Sequence, residues 1–304
     1  MCQYLEFGSK EPVYVITPVH NRKETTLACL GNLKKCGALQ RYHMVIVDDG
    51  STDGTTEAIN SLYPDVTVLP GDGDLWWTGA MARGMQYAHE QGAEYFIWLN
   101  DDCIPEPDTL PKLVDFMQTH PDTIVGPTCY TYKSNSVVKE DNAFRGRKSC
   151  AAAPGEVIFV DGLSGWCVGI PASVFRKIGP PNANKFPHYS GDDTYTLKAT
   201  RSGFKAYVVG DIKVTLFGPV HPKLNFRSYF RTALSPAETF QALFWSKKSP
   251  YRLPTMFFNK TDRYGLLLGV PLFLIKLISW LGKWAWLQFT FWLRPDALNV
   301  GDRV

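Results

Sequence analysis

Cysteine is scarce and irregularly spaced in this sequence of 304 residues. The chain has seven cysteines, an odd number, and no two of them form a Cys-x-x-Cys pair. This pattern disfavours both a disulfide framework and a structural zinc site. A reducing cytoplasm suits such a sequence best.

A strong net charge and a secretory signal are also lacking. The formal net charge is only +3, so we expect no general attraction to nucleic acid. Residues 1–19 contain no basic stretch followed by a long apolar one, so we predict no signal peptide and a catalytic part that stays cytoplasmic. A composition that is 45% hydrophobic and 20% charged is typical of a globular protein with one large core or with a core plus an appendage.

Short apolar runs alternate with segments of helical periodicity between Val13 and about Cys129, which predicts an open, mostly parallel α/β sheet with helices on both faces. Polar clusters follow three of the apolar runs, at residues 17–22, 48–54 and 100–102. Ligands of such sheets bind at the carboxyl ends of the strands, where these clusters should meet. The first run leads into "TPVHNR" and not into Gly-x-Gly-x-x-Gly, which disfavours a nicotinamide-dependent enzyme.

The adjacent carboxylates Asp101 and Asp102 follow the apolar run "EYFIWLN". Two interpretations are open for them: they form a turn, or they bind a hard divalent cation together with substrate phosphates. The stretch "VDDGSTDGT" leaves the same choice between a ligand site and an ordinary turn with a helix cap at Ser51 or Asp53.

The segment from about residue 130 to residue 187 is polar and irregular, which predicts binding loops or lids. After it, the sequence predicts a helix that begins near Asp192, ends at Gly203 and is followed by a further strand. A second carboxylate pair, Asp192 and Asp193, therefore lies at a helix N-terminus, where helix capping is its simplest role.

Several motifs, in order, resemble those of inverting family 2 glycosyltransferases with the GT-A fold. They are "ITPVHNR", "VDDGSTDGT", "GAMARGM", "LNDD", "GLSGWCVGIPASVFRKIG" and "YSGDD", and they extend over residues 13–210, about two-thirds of the chain. Nearby sequence is also similar to transferases of bacterial surface polysaccharides, including rhamnosyltransferases. The resemblance implies a GT-A catalytic domain over residues 1–220.

By position, the resemblance implies a nucleotide-sugar site for a dTDP- or UDP-sugar. Thr17 and Pro18 would line the nucleotide site, the carboxylate of Asp49 would accept a hydrogen bond from the pyrimidine, and Arg83 would contact the donor. The chain departs from the family pattern after Arg83, where Gly84 replaces the usual Asn.

The resemblance also implies a divalent cation, Mn²⁺ or Mg²⁺. Asn100 and Asp102 occupy the two outer positions of the family's Asp-x-Asp motif, so Asp102 is the implied metal ligand and Asn100 lies on the donor side. Asp101, between them, would contact the ribose or the sugar. His221 is a candidate second ligand, with an ordinary loop residue as the alternative.

Catalysis in such enzymes needs a base that takes a proton from the acceptor hydroxyl. The resemblance implies Asp193 for this role, beside Asp192, which replaces the usual Glu. The acceptor would be a lipid-linked glycan or an oligosaccharide. The chain lacks a Gln-x-x-Arg-Trp motif, which disfavours a processive synthase. A catalytically silent, membrane-bound subunit that binds glycan or nucleotide is the alternative.

The C-terminal segment, residues 221–304, differs in composition from the rest. Residues 266–293 are long enough to cross a bilayer, but Pro271, Lys276 and Lys283 interrupt the apolar run. We therefore predict a helix that lies in the membrane interface with its lysines reaching the headgroups, on the cytoplasmic face of the inner membrane. The alternatives are a spanning helix and a homo-oligomer interface.

Overall fold

The computed structural model describes residues 9–133, 136–146, 148–216, 225–230 and 234–293. The chain divides into two compact units. The first comprises Met1–Ala183 with Gly191–Val220, and the second comprises Asn184–Ser190 with His221–Val304.

The strands of the first unit are β1 Val13–Val19, β2 His43–Asp48, β3 Thr67–Pro70, β4 Tyr95–Leu99, β5 Cys103–Pro105, β6 Thr123–Lys133, β7 Ser136–Glu140, β8 Ala143–Arg145, β9 Lys148–Cys150, β10 Val157–Phe159, β11 Gly162–Leu163, β12 Cys167–Pro171 and β13 Lys205–Leu216. Its helices are α1 Lys23–Lys35, α2 Ala38–Arg41, α3 Thr55–Leu62, α4 Trp76–Glu90, α5 Thr109–Thr119, α6 Ala172–Ile178 and α7 Gly191–Arg201.

The main sheet has the strand order β10-β13-β6-β12-β4-β1-β2-β3, with β5 and β7 pairing outside this path. Strands β3, β2, β1 and β4 are parallel neighbours, and β12 pairs antiparallel with β4. Val19 pairs with Asp48, which pairs in turn with Pro70, so three strands end at one level. The chain segments that follow these strands therefore meet at one edge of the sheet.

Side chains of β1 alternate between two buried clusters, as the period of an extended strand requires. Tyr14 and Ile16 pack in one cluster with residues of α4 and α7, whereas Val13 and Val15 pack in the other with residues of α1 and α5. The predicted α/β sheet with helices on both faces is confirmed.

Helix α4 lies very close to β1 because residue 84 has no side chain. A Cβ atom at Gly84 would lie 2.4 Å from Cγ2 of Ile16 and 3.2 Å from Cγ2 of Val47. This close packing of a helix on a strand requires glycine. It fixes the N-terminus of α4 near the edge where β1 and β2 end.

The middle of the chain is more regular than the sequence indicates. Its described residues form β7 to β12, and the second sheet has the order β11-β8-β9. Most of these strands have two to five residues, too few for an alternating pattern to stand out. The prediction of long irregular loops was wrong for these residues.

The predicted helix at the second carboxylate pair is confirmed. Helix α7 begins at Gly191 and ends at Arg201, and Gly203 follows with a φ of 99°. Strand β13 then runs from Lys205 to Leu216.

The second unit contains a 3₁₀ helix, Phe226–Phe230, and two helices, α8 Pro236–Phe244 and α9 Leu253–Leu293. Their shared core is the aromatic cluster, by which we mean Phe226, Phe230, Leu243, Phe244, Trp280 and Leu287. Helix α8 begins with a capping box between Ser235 and Glu238.

Residues 184–190 pack against the first turns of α9. Lys185 Nζ lies 3.0 Å from Asp262 Oδ2, and the Thr255 hydroxyl donates to the Lys185 carbonyl at 3.3 Å. Asn259 Nδ2 donates to Ser190 Oγ at 3.2 Å. This short segment, which directly precedes α7 in the chain, is therefore held by the second unit.

Helix α9 is long and apolar enough to cross a membrane. Its backbone is interrupted at Gly265, which has a φ of 74° and a ψ of 169°, and Pro271 lies inside the helix. Trp280 and Leu287 are buried in the aromatic cluster, whereas Leu267 is 92% exposed and Ile278 is 70% exposed. One side of the helix thus packs in the aromatic cluster, and another side is apolar and exposed to solvent.

Candidate active site

The loops that follow β1 and β2 are joined by hydrogen bonds. His20 Nδ1 donates to the Asp49 carbonyl at 2.5 Å, and the Asn21 N–H donates to Ser51 Oγ at 2.8 Å. In return, the Thr52 N–H donates to Asn21 Oδ1 at 2.7 Å. Asn21 has a φ of 51°, a left-handed conformation that Asn tolerates better than most residues. The two loops therefore form one rim of the sheet edge.

The carboxylates of Asp48 and Asp49 hold different loops. Asp48 accepts hydrogen bonds from the Ser51 N–H and the Thr56 hydroxyl, so it orders the turn before α3. Asp49 is only 5% exposed and accepts from the N–H groups of Gly73, Leu75 and Trp76 at 2.9, 3.1 and 2.8 Å.

The carboxylate of Asp49 therefore satisfies backbone donors at the start of α4. A nucleobase would add a fourth hydrogen bond to this carboxylate, whose two oxygens can accept about four. That contact stays a prediction.

The other predicted donor residues differ in their accessibility. Thr17 is fully buried, and its hydroxyl has no hydrogen-bond partner among the described residues. Pro18 is half-buried beside Val47 at the strand ends. Arg83 is exposed, on the side of α4 away from Gly84, and no described contact joins it to the carboxylates. The structure thus brings Thr17 and Pro18 to the edge and leaves Arg83 on the helix surface.

Asp101 and Asp102 share one guanidinium group. Arg22 Nε lies 3.2 Å from Asp101 Oδ2, and Arg22 Nη2 donates to Asp102 Oδ2 at 3.2 Å. The Thr26 hydroxyl also donates to Asp101 Oδ2, at 3.0 Å. The sequence alone did not indicate Arg22 or Thr26 as partners of these carboxylates. Arg22 is the last residue of the motif "TPVHNR", and Thr26 lies one helical turn further along the chain.

The two carboxylates differ in burial. The side chain of Asp101 is 4% exposed and that of Asp102 is 21% exposed. Desolvation raises the pKa of Asp101 to about 6; the charge of Arg22 opposes this rise, and the charge of Asp102 adds to it. Asp102 is therefore the more accessible carboxylate, and its metal role and a donor contact by Asp101 stay predictions.

Asn100 lies with tryptophans and not with the neighbouring carboxylates. Its Oδ1 accepts a hydrogen bond from Trp77 Nε1 at 2.8 Å, and its N–H donates to the Trp166 carbonyl at 3.0 Å. The Trp77 ring packs edge-on against Trp98, with 5.3 Å between centroids. The indole of Trp77 is therefore fixed at the end of β4.

Asp192 lies close to Trp77, and Gly165 lies between the two side chains. The Gly165 N–H donates to Asp192 Oδ2 at 2.6 Å. A Cβ atom at Gly165 would lie 2.4 Å from Cζ2 of Trp77 and 2.9 Å from Cβ of Asp192. A Cβ atom at Gly191 would lie 2.0 Å from Oγ1 of Thr78. Glycine at positions 165 and 191 therefore allows α4 and α7 to pack closely.

Helix α7 presents both Asp192 and Asp193 in its first turn, where its dipole favours negative charge. Desolvation nevertheless raises the pKa of Asp192, against hydrogen bonds from the N–H groups of Gly165 and Asp193. A carboxyl whose pKa is raised by burial thus lies next to the predicted base.

The described residues contain no group of three or more His, Cys, Asp and Glu side chains that could hold a metal ion. His221 lies outside the described residues. Mg²⁺ and related hard cations are commonly bound by one or two carboxylates together with substrate phosphates. Asp102, partly exposed at the edge of the sheet, fits a cation held jointly with a diphosphate.

Comparison with known proteins identifies this arrangement. The family model for glycosyl transferase family 2 matches residues 14–177. The chain is 27% identical over 117 residues to a dolichol-phosphate mannosyltransferase of Pyrococcus furiosus and 28% identical over 117 residues to an undecaprenyl-phosphate mannosyltransferase of Micrococcus luteus. Each alignment covers 38% of this chain, and they cover 32% and 47% of those proteins.

A third relative, glycosyltransferase AglE of Haloferax volcanii, is 24% identical over 210 residues. That alignment covers 66% of this chain and 65% of AglE. The chain thus spans between about a third and two-thirds of the lengths of these three relatives.

Solved structures show the same fold. GalNAc-T7 with UDP, GalNAc and Mn²⁺ superposes with a TM-score of 0.57 at 14% identity, over 84% of this chain and 51% of that one. Mannosyltransferase PcManGT from Pyrobaculum calidifontis with GDP-Man and Mn²⁺ gives a TM-score of 0.53 at 16% identity, over 94% and 82%. The predicted GT-A fold is confirmed.

The raised pKa of Asp192 predicts a pH-dependent contribution to stability. Folding favours the protonated carboxyl, so the contribution is complete below the unfolded pKa and is lost as the pH rises through the raised folded pKa. Asp192→Asn removes this loss. Relative to the unsubstituted protein, the variant should gain free energy of unfolding as the pH rises above about 4, the ordinary pKa of an unfolded aspartate, as measured by urea denaturation.

Asp53 supplies a control of opposite sign. The Thr55 hydroxyl and the Lys23 N–H lower its pKa, so its contribution to stability is present above the unfolded pKa and is lost as the pH falls. Asp53→Asn should therefore lose stability relative to the unsubstituted protein as the pH rises through the acid range to about pH 4, where the unfolded carboxyl ionises. Equal pH trends for the two variants would contradict the assignment.

Proposed function

Because the chain belongs to glycosyl transferase family 2, we propose that it transfers one sugar from a nucleoside-diphosphate donor to a hydroxyl of a glycan acceptor, with inversion at the anomeric carbon. One observation carries the proposal. The edge where β1, β2 and β4 end carries Asp102, and the first turn of α7, with Asp192 and Asp193, lies against Trp77 and Gly165 of the same unit.

The nucleotide is proposed to bind at the rim formed by the loops after β1 and β2. Thr17, Pro18 and Asp49 would contact the nucleoside, and Asn100 and Asp101 would lie toward the ribose and sugar. We propose a dTDP- or UDP-sugar, with a deoxyhexose such as rhamnose as the finer choice. GDP belongs in any test because PcManGT was solved with GDP-Man.

In the proposed reaction the acceptor oxygen attacks the anomeric carbon while the bond from that carbon to the diphosphate breaks. Asp193 takes the proton from the acceptor hydroxyl, and the nucleoside diphosphate leaves. Asp102 would hold a Mn²⁺ or Mg²⁺ ion, which would supply positive charge to the leaving diphosphate. Trp77, held by Asn100, keeps the side of the site near Asp192 rigid and partly closed to water.

The acceptor is proposed to be lipid-linked. Two relatives are named for transfer to dolichol phosphate and undecaprenyl phosphate, and the apolar side of α9 offers a means of membrane attachment. An enzyme attached at the cytoplasmic face of the inner membrane would meet both a soluble nucleotide sugar and a lipid-borne acceptor. Residues 1–220 are the proposed catalytic domain, and residues 221–304 the proposed membrane-association or oligomerisation segment.

A catalytically silent, membrane-bound subunit that binds nucleotide or glycan is the second candidate. Such a subunit would need neither Asp102 for a cation nor Asp193 for proton transfer. Slow hydrolysis of the donor separates the two functions because it needs no knowledge of the acceptor.

Asp193→Asn keeps the shape of the side chain and removes the proposed base. We expect turnover to fall by on the order of a hundredfold or more, while the affinity for the donor stays within a few-fold. The assay is release of UDP, dTDP or GDP from the matching sugar donors with Mn²⁺, with binding measured by calorimetry. Near-normal turnover by the variant would remove Asp193 from the mechanism, and donor binding without any turnover by the unsubstituted enzyme would favour the silent subunit.

Membrane binding should depend on the exposed apolar side of α9. Ile278 and Trp286 are 70% and 62% exposed. Lys276 is also exposed, and its Nζ lies 5.5 Å from the ring centroid of Trp280. Ile278→Glu with Trp286→Glu should release the full chain from neutral and anionic vesicles alike in a flotation assay.

Charge reversal at the lysines is the matched comparison. Lys276→Glu with Lys283→Glu should weaken binding to anionic vesicles more than to neutral ones, and added salt should have the same effect. A full-length protein that stays soluble without detergent and ignores both vesicle types would contradict membrane attachment. Resistance to alkaline carbonate would indicate a spanning helix instead.

A further inference from the structure

We propose that Arg22 is an internal counter-ion of the metal site, which keeps Asp102 from binding a divalent cation until the cation arrives with a nucleoside diphosphate. The inference rests on the proposed role of Asp102 as metal ligand. It assigns Arg22 a positioning role that makes cation binding conditional on the donor.

The planar guanidinium group of Arg22 contacts two carboxylates. Nε of Arg22 faces Asp101 and Nη2 faces Asp102, each at 3.2 Å. The rigid guanidinium can engage two acceptors at once in this way, which a lysine ammonium on its flexible stem does poorly. Arg22 thus satisfies Asp102 Oδ2, an oxygen that a cation bound to this carboxylate would compete for.

The two ion pairs of Arg22 differ in how easily they can break. Asp101 is 4% exposed and is also held by the Thr26 hydroxyl, so its contact with Arg22 is the fixed one. Breaking an ion pair at such a buried carboxylate is strongly destabilising. Asp102 is 21% exposed and Arg22 is 35% exposed, so this second contact can open toward solvent.

Charge explains why the donor changes the balance. Two carboxylates and one guanidinium sum to one negative charge, a weak attraction for a divalent ion whose nearest neighbour would be Arg22. A diphosphate brings further negative charge and oxygen ligands, which neutralise the ion and offer the freed guanidinium a new partner. The described residues contain no group of three side-chain ligands that would hold the ion without the diphosphate.

The test is binding of Mn²⁺ alone, followed by the electron paramagnetic resonance signal of the free ion at fixed ionic strength and without nucleotide. Arg22→Gln should bind Mn²⁺ at least tenfold more tightly than the unsubstituted protein. The gain in Mn²⁺ affinity should disappear in the double variant Arg22→Gln with Asp102→Asn. This result would show that the gain arises at Asp102. Lys35→Gln removes the same charge from an exposed position of α1 and should leave Mn²⁺ binding unchanged.

A second variant covers the risk that Arg22→Gln unfolds the protein by leaving Asp101 without its ion pair. Arg22→Lys keeps the positive charge but cannot bridge both carboxylates, so it should give an intermediate affinity for Mn²⁺. Mn²⁺ binding by the folded Arg22 variants that equals or falls below that of the unsubstituted protein would overturn the proposal.

Repeating the titration with UDP, GDP and dTDP separates this inference from the proposed function. If nucleotide-supported Mn²⁺ binding depends on Asp102 while the Arg22 variants show no gain with Mn²⁺ alone, only the role of Arg22 fails. If Asp102→Asn leaves nucleotide-supported binding unchanged, the metal role of Asp102 fails, and the inference fails with it.

Discussion

The structure has to hold several carboxylates at one edge of a sheet without leaving any of them buried and uncompensated. Desolvation of a charge is costly, and Asp49, Asp101, Asp102 and Asp192 each accept a hydrogen bond. Backbone N–H groups surround Asp49, and the Gly165 N–H reaches Asp192. One guanidinium serves both Asp101 and Asp102. These partners decide which carboxylates order loops and which one remains accessible to a ligand.

Much of the fold could be predicted because its signals are local. The apolar runs of β1 to β4 and the glycine that follows α7 are patterns of neighbouring residues in the sequence. The structure contains all of these elements. The predicted edge of the sheet also follows, because parallel strands that end in polar clusters must bring those clusters together. Hydrophobic periodicity and the glycine after α7 were therefore sufficient to predict β1 to β4 and α7, but not the short strands β7 to β12.

The rest depends on contacts between residues far apart in the chain. Arg22 meets Asp102 across eighty residues, and Trp77 meets Asn100 across twenty-three. Nothing in the spacing of a motif shows which side chain will neutralise a carboxylate from another loop. The requirement for glycine at position 165, between β11 and β12, is equally invisible in the sequence, since it arises from Trp77 on helix α4. In the second unit, Lys283 Nζ lies 5.2 Å from the Phe226 ring centroid, a contact that helical periodicity alone could not reveal.

The central claim is that Asp102 and a nucleoside diphosphate hold a divalent cation together at the sheet edge. Thermal unfolding of the full chain with UDP, GDP or dTDP, each with and without Mn²⁺, tests it most directly, because a ligand that binds only the folded protein raises the melting temperature. The account predicts that at least one nucleotide raises the melting temperature only when Mn²⁺ is present, and that Asp102→Ala abolishes this rise. A nucleotide-dependent rise of the same size without Mn²⁺, or in Asp102→Ala, would contradict it.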